Sequence, residues 1–237
     1  GYNFTVYRHQ YANPQSIACD ISRCVTVDDS GRVWIGTREG FSLYNRDQDT
    51  FSNYFYKENG YKATVTCIAP MNKDYLMLGT TSGVLLFDIG KERILNDTLP
   101  HPLHLLRPTA MVRQSDKIYI GVEKGLYVYS LANGTLEKLV DMPKATRIHS
   151  VFCQMFTRIW IATEGEGLYM YDTKSKELKN YRHEDGYSGL NSNYVRSLAV
   201  DQENRLWVGT YGGLNIYEGG KDRFLSVRNS AIQKNTL

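Results

Sequence analysis

Residues 32–44 read RVWIGTREGFSLY and residues 205–217 read RLWVGTYGGLNIY. Both place Trp third, Gly-Thr fifth and sixth, a second Gly ninth and Tyr last. Three further copies lie between them: LMLGTTSGVLLF from residue 76, IYIGVEKGLYVY from 118 and IWIATEGEGLYMY from 159. The anchor position is Gly36, Gly79, Gly121, Ala162 and Gly209, at spacings of 43, 42, 41 and 47 residues. A period in the low forties is that of a four-stranded propeller blade, a unit that buries its faces only against its neighbours. The last copy divides into runs at 195–200, 206–210, 214–217 and 223–227, separated by polar or Gly-rich turns. Such a pattern is an antiparallel meander.

Within this register the first-strand residues Cys24, Cys67, Thr109, Ser150 and Ser197 are equivalent and all small. Innermost strands crowd at a propeller axis, and small side chains allow the close approach. Their second-strand counterparts Trp34, Met77, Tyr119, Trp160 and Trp207 are all large. They are expected to fill the wedges between blades rather than stack on sugars, as are the closing aromatics Tyr44, Phe87, Tyr129, Tyr171 and Tyr217. The second Gly of each copy (Gly40, Gly83, Gly125, Gly167, Gly213) falls where a tight turn needs φ > 0. The expected fold is an all-β, β-propeller array of five complete four-stranded antiparallel blades. They span about 20–56, 63–98, 105–141, 146–182 and 193–228, with 3–9 a stray outer strand of a preceding blade. HPLHLL at 101–106 offers one helical turn at most.

Composition narrows the function classes. The chain has 237 residues, 42% hydrophobic, 22% charged and 12% aromatic, with 18 Tyr. That balance suits a globular, strand-rich domain. A formal charge of +3 without any Lys/Arg run argues against nucleic acid. No apolar stretch approaches the roughly 18 residues of a membrane span.

The pattern of Asp, a short turn and L/V-W-I/V-G-T-x-x-G-L-x-x-Y resembles the two-component regulator propeller repeat. GLNSNYVRSLAVD, at 189–201, is similar to that family's linker into a new blade. The resemblance is strongest in the first, fourth and fifth copies; Met77 and Tyr119 replace Trp in the second and third, and Ala162 replaces Gly in the fourth. The resemblance implies the periplasmic sensor region of a Bacteroidetes-type hybrid two-component system. There, seven-bladed propellers stand in series before an immunoglobulin-like domain and a membrane span. The parent would be a membrane-anchored sensor histidine kinase, with this chain a piece of its sensor. Five blades would leave an open arc, a small ring, or completion by a second protomer, and open strand edges favour association.

Enzyme signatures are sparse. GYSGL at 186–190 lacks nucleophile-elbow spacing, and neither a Walker loop nor a Gly-x-Gly-x-x-Gly follows a strand. His101 and His104 have no third ligand at zinc spacing, so neither metal nor cofactor is expected. Glu164 with Glu166, and Glu184 with Asp185, read as solvated turn residues before they read as a glycosidase pair. Cys19, Cys24, Cys67 and Cys153 form no C-x-x-C and are expected as free thiols.

In a four-stranded meander the second-to-third turns share a face with the blade linkers. The turns bring Arg38, Glu39, Thr81, Ser82, Glu123, Lys124, Glu164, Glu166 and Tyr211. The linkers bring Tyr56, Tyr61, His183, Tyr187, Asn191 and Asn193. Near the inner strand, Arg23, His149 and Arg196 occupy equivalent positions. Rings beside amide and charged groups suit an oligosaccharide, and the Arg/His set suits a uronate or sulfate. The expected ligand face is therefore Arg23, Arg38, Glu123, Lys124, His149, Glu164, Tyr187, Arg196 and Tyr211, with no catalytic residue. The expected function is non-catalytic sensing, with a protein-interaction scaffold second and a propeller lyase or glycosidase third.

Overall fold

The computed structural model describes residues 4–58, 60–95, 99, 101–183 and 189–227. Five four-stranded antiparallel sheets follow one another, each a meander with neighbours in chain order. The first holds β1 (Ser22–Val27), β2 (Val33–Thr37), β3 (Gly40–Asn45) and β4 (Thr50–Tyr54). A two-stranded hairpin, β5 (Lys57–Glu58) and β6 (Tyr61–Lys62), follows it. The second sheet holds β7 (Val65–Pro70), β8 (Tyr75–Thr80), β9 (Val84–Asp88) and β10 (Arg93–Leu95). One helical turn, α1 (His101–His104), precedes the third: β11 (Ala110–Gln114), β12 (Lys117–Val122), β13 (Gly125–Ser130) and β14 (Leu136–Asp141). The fourth holds β15 (Ile148–Gln154), β16 (Arg158–Thr163), β17 (Leu168–Asp172) and β18 (Leu178–Tyr181). The fifth holds β19 (Val195–Val200), β20 (Leu206–Thr210), β21 (Gly213–Glu218) and β22 (Arg223–Val227). The chain divides into two compact units, residues 1–139 and 140–237.

The repeat's small-against-glycine pairing has a direct steric cause. Cys24 pairs with Gly36, Cys67 with Gly79, Ser150 with Ala162 and Ser197 with Gly209. A Cβ on Gly36 or Gly79 would lie 2.5 Å from the facing Cys Sγ, and one on Gly209 would lie 2.4 Å from Ser197 Oγ. The third sheet departs from the expected register. Ala110, not Thr109, pairs with Gly121, and the bulge that the other four first strands carry is missing. The turn glycines also divide. Gly40, Gly167 and Gly213 take φ of 90°, 81° and 115°, whereas Gly83 and Gly125 do not adopt positive φ. Gly83 is required for space instead, because a Cβ there would meet the His104 carbonyl at 2.4 Å.

The large second-strand residues fill the cores. Trp34 is fully buried with Phe41, Val65, Leu76, Leu78 and Phe87. Met77 is buried with Ile118, Ile120 and, from α1, Leu103. Trp160 is buried with Val195, Leu206, Val208 and Phe224. Trp207 corrects the expectation of uniform burial, being only half-buried, as are Tyr44 and Tyr217. Each Trp indole donates to a residue at the preceding turn: Trp34 Nε1 to Asp28 Oδ2 at 2.8 Å, Trp160 to Gln154 Oε1 at 2.9 Å and Trp207 to Asp201 Oδ2 at 2.8 Å. Burial alone would raise the Asp28 carboxyl, but donation from Trp34 and Arg32 outweighs it and holds it below the ordinary range. All four cysteines are free thiols.

Residues 4–10 form no strand, which corrects the expected outer strand at 3–9 (Asn3 lies outside the described residues). Among the described residues no strand pairs with them to supply a ladder. Their side chains nevertheless repeat the outer edge of the fourth sheet. Tyr7-Arg8-His9 matches Tyr181-Arg182-His183. Tyr7 and Tyr44 hydroxyls both donate to Asp49 Oδ1, at 2.5 and 2.7 Å, as Tyr181 and Tyr217 do to Asp222 Oδ1, at 2.6 and 2.8 Å. Tyr7 meets Phe51 edge-on at 5.2 Å, and Tyr181 meets Phe224 edge-on at 5.2 Å. His9 N donates to Asp20 Oδ1 and His9 Nδ1 bonds the Ile17 carbonyl; His183 does the same with Asn193 Oδ1 and the Leu190 carbonyl.

Candidate functional site

The expected site residues distribute between the units. Arg23, Arg38, Glu123 and Lys124 are exposed in the first. No side-chain hydrogen bond or ion pair holds them among the described residues. His149, Glu164, Arg196 and Tyr211 lie in the second, where the fold brings them together. Tyr187 lies outside the described residues.

β15 and β19 are neighbouring first strands, and each bulges before its small residue, between 148 and 150 and between 195 and 197. Alternation along the strands sets His149 beside Arg196. The guanidinium Nη1 lies 2.9 Å from His149 Nε2 and 3.3 Å from Nδ1. Arginine can only donate, so the ring nitrogen it meets must be unprotonated. Burial and the Arg196 charge, in that order, push the imidazole below its ordinary value. The Glu164 carboxylate, 3.9 Å from Nε2, opposes them without prevailing.

Aromatic surface flanks this pair. Arg196 Cζ lies 4.5 Å from the Tyr211 ring centroid, within cation–π range. Tyr211 stacks on Tyr194 at 5.5 Å and 11°. Yet the two rings remain 63% and 46% exposed, an open aromatic surface beside a cation. The backbone holds them in register, Tyr211 N donating to the Tyr194 carbonyl at 3.0 Å. Gly165 beside the Tyr194 ring takes φ of 92°, a left-handed conformation that favours glycine.

Among the described residues, five of the unit's cations are held in ion pairs; Arg196 is among those that are not. Lys144 and Arg182 pair with Glu166, Lys179 with Asp222, Arg205 with Asp201 and Arg223 with Glu218. Arg196 makes no carboxylate contact among the described residues; its partners are an imidazole and a phenol face. A guanidinium with unspent in-plane donors takes a carboxylate or sulfate in bidentate fashion.

Several expected linker contributors serve the fold instead. Asn193 Oδ1 accepts from His183 N, and its carbonyl accepts from Gly165 and Gly167 N. Asn191 Oδ1 accepts from Thr210 Oγ1 at 2.6 Å. Glu166 is held between Arg182 and Lys144, whose hydrogen bonds keep its carboxyl below the ordinary range. Tyr194 was not among the expected residues. Its equivalent before the first sheet is Ile21, so the repeat gave it no aromatic signature. The signal available was its place beside Asn193 in the linker. Among the described residues, no three His, Cys, Asp or Glu side chains converge as a metal site, and no helix is long and apolar enough to cross a membrane.

The two-component regulator propeller model matches residues 189–212, the stretch that carries Tyr194, Arg196 and Tyr211. A histidine kinase of Formosa agariphila is 39% identical over 59 residues, 24% of this chain and 4% of that protein. Two extracellular domains of hybrid two-component systems from B. thetaiotaomicron superpose with TM-scores of 0.73 and 0.71, at 23% and 24% identity. They cover 93% and 94% of this chain, which spans 29% and 30% of theirs. Virginiamycin B lyase from Staphylococcus aureus superposes at 0.65 and 15% identity, over 87% of this chain and 69% of its own. The chain therefore carries a two-component regulator propeller repeat, in a β-propeller fold shared with extracellular domains of hybrid two-component systems.

Proposed function

We propose that this chain is a non-catalytic, extracytoplasmic sensing module, and that it recognises an oligosaccharide bearing a carboxylate or sulfate. The parent protein is a membrane-anchored sensor kinase whose catalytic part lies outside the chain. The observation that carries the reading is Arg196, accessible, without a carboxylate partner among the described residues, and set between a neutral imidazole and two exposed stacked tyrosines. The anion takes the guanidinium, and the rings take apolar sugar faces. The donor from Arg196 occupies the imidazole nitrogen that proton abstraction would need, which weighs against a lyase. A docking scaffold is the second reading, favoured by Leu214, Leu225 and Val227, apolar yet exposed on the fifth sheet.

The test is a thermal-shift series with hexagalacturonate, a sulfated heparin hexasaccharide and cellohexaose. A ligand at a hundred times Kd stabilises the folded state by about 2.7 kcal/mol. The melting temperature then rises by about 5–11 °C. An anionic hexasaccharide should produce that rise, and Arg196→Gln and Tyr211→Ala should abolish it. No rise with either anionic probe refutes the reading and leaves the scaffold.

A further inference from the structure

We propose that a cavity of the first unit, bounded by His9, Tyr11, Asp20, Glu39 and Lys62, binds a neutral, hydroxyl-rich sugar residue. It is a site separate in composition and chemistry from the Arg196 cluster. The cavity measures about 450 Å³, within the range of small-ligand sites.

Its polar groups are only partly spent. His9 Nδ1 lies 2.8 Å from the Ile17 carbonyl, which can only accept, so Nδ1 is the donor, and Nε2 has no bond among the described residues. Asp20 uses Oδ1 for His9 N at 2.6 Å, and Oδ2 has no bond among the described residues. Glu39 uses Oε2 for Lys62 Nζ at 3.0 Å, leaving Oε1. Lys62 is itself held over the Phe55 ring at 4.3 Å. The open positions are thus mainly acceptors, and the complement of an acceptor-lined wall is a ligand rich in hydroxyl donors. An anion would face two carboxylates. Tyr11 supplies the apolar component. It is 101% exposed and meets the His9 ring edge-on at 5.8 Å.

The internal repeat shows that these acidic groups are not demanded by folding. The bond His9 N makes to Asp20 is made by His183 N to Asn193, so an amide serves the backbone equally well. The turn position of Glu39 is Gly212 in the last copy. Carboxylates therefore stand at two positions where the repeat accepts neutral residues, and both line the same cavity.

The experiment is isothermal titration of the whole chain with cellohexaose, xylohexaose, laminarihexaose, chitosan hexamer and hexagalacturonate. Tyr11→Ala and Asp20→Asn are titrated in parallel. Both should fold, the first because its side chain is wholly exposed and the second because Asn193 fills the same role. Their melting curves check this. At least one neutral hexasaccharide should bind, and each variant should raise its Kd about tenfold, the size of one charged hydrogen bond or ring contact. The proposal is overturned if no neutral hexasaccharide binds, or if the chitosan hexamer binds in preference. It is also overturned if neutral binding is as tight in both variants as in the parent chain, whatever Arg196→Gln does. The hexagalacturonate titration reports separately on the anion-binding reading, so failure of either is distinguishable.

Discussion

Replacing Asp28 by Asn, and Asp201 by Asn, compares one hydrogen-bond network at two depths. Asp28 accepts from Ser30 N at 2.9 Å and Arg32 N at 3.0 Å on Oδ1, and from Arg32 Nε at 2.6 Å and Trp34 Nε1 at 2.8 Å on Oδ2. Asp201 accepts from Glu203 N, Arg205 N, Arg205 Nε and Trp207 Nε1 in the same way. Asn keeps the Oδ1 acceptor but turns an N–H toward the indole and the guanidinium. In the first sheet the carboxylate is 0% exposed and Trp34 is fully buried, so the orphaned indole N–H finds no water. That costs about 1–3 kcal/mol, and losing the charge-assisted bond to Arg32 adds a further ~1 kcal/mol. In the fifth sheet Asp201 is 24% exposed and Trp207 half-buried, so water replaces the lost partner and the cost is about 1 kcal/mol. Hydrogen exchange followed by mass spectrometry reads each site locally. Peptides covering β2 should exchange about a hundredfold faster in Asp28→Asn, and those covering β20 about fivefold faster in Asp201→Asn. Equal effects, or a larger effect at Asp201, would refute burial as the deciding factor.

Gly167→Ala should cost about 2 kcal/mol or more in a urea melt, since φ is 81° and the Cβ would meet the Tyr181 carbonyl at 2.3 Å. Gly209→Ala should cost under about 1 kcal/mol, because the Ser197 hydroxyl can turn aside, as the Ser150–Ala162 pair shows. For Asp222, burial raises the carboxyl, but bonds from Lys179, Tyr181 and Tyr217 prevail and bring it down to about 2. A folded value below the unfolded ~3.9 means its contribution is whole above pH 4 and lost as pH falls toward 2. Asp222→Asn should flatten that part of the acid limb in denaturation measured from pH 6 to pH 2. Burial pushes the Cys24 thiol up to about 11 and the Cys153 thiol up to about 12. Both should therefore resist alkylation at pH 8 in the folded chain and react at once in urea.

The fold was legible because its two strictest requirements are local. An inner strand that approaches its neighbour closely needs Gly36 opposite Cys24, and the wedge between sheets needs Trp34 or its equivalent. Both recur through the copies, with Ala162 in place of the glycine in the fourth and Met77 and Tyr119 in place of Trp in the second and third. The third sheet was less legible because Thr109 and Ala110 are both small, so size could not fix the register. Residues 4–9 were recognised as an outer edge, but a strand requires a ladder as well as side chains. Tyr7-Arg8-His9 against Tyr181-Arg182-His183 was the signal that their contacts would match. The β5–β6 hairpin left no periodic trace, being two residues on each side. Site residues vary from copy to copy because the fold does not need them. Equivalent register put Arg196 near His149 and the turn rule placed Tyr211, but nothing in the repeat singled out Tyr194, whose counterpart is Ile21. Nor did it mark Tyr11, which lies outside every copy. His183, Asn191 and Asn193 looked like ligand groups and prove to be braces, a distinction that rests on where their second atoms point.

The most direct test of the sensing account is calorimetric titration of the chain with hexagalacturonate and the sulfated hexasaccharide, each recovered and sized afterwards. The account predicts saturable binding of an anionic hexasaccharide that Arg196→Gln removes, with the ligand returned intact. Shortened or unsaturated products would contradict it by making the chain an enzyme. Binding indifferent to Arg196 would contradict it by placing the ligand elsewhere.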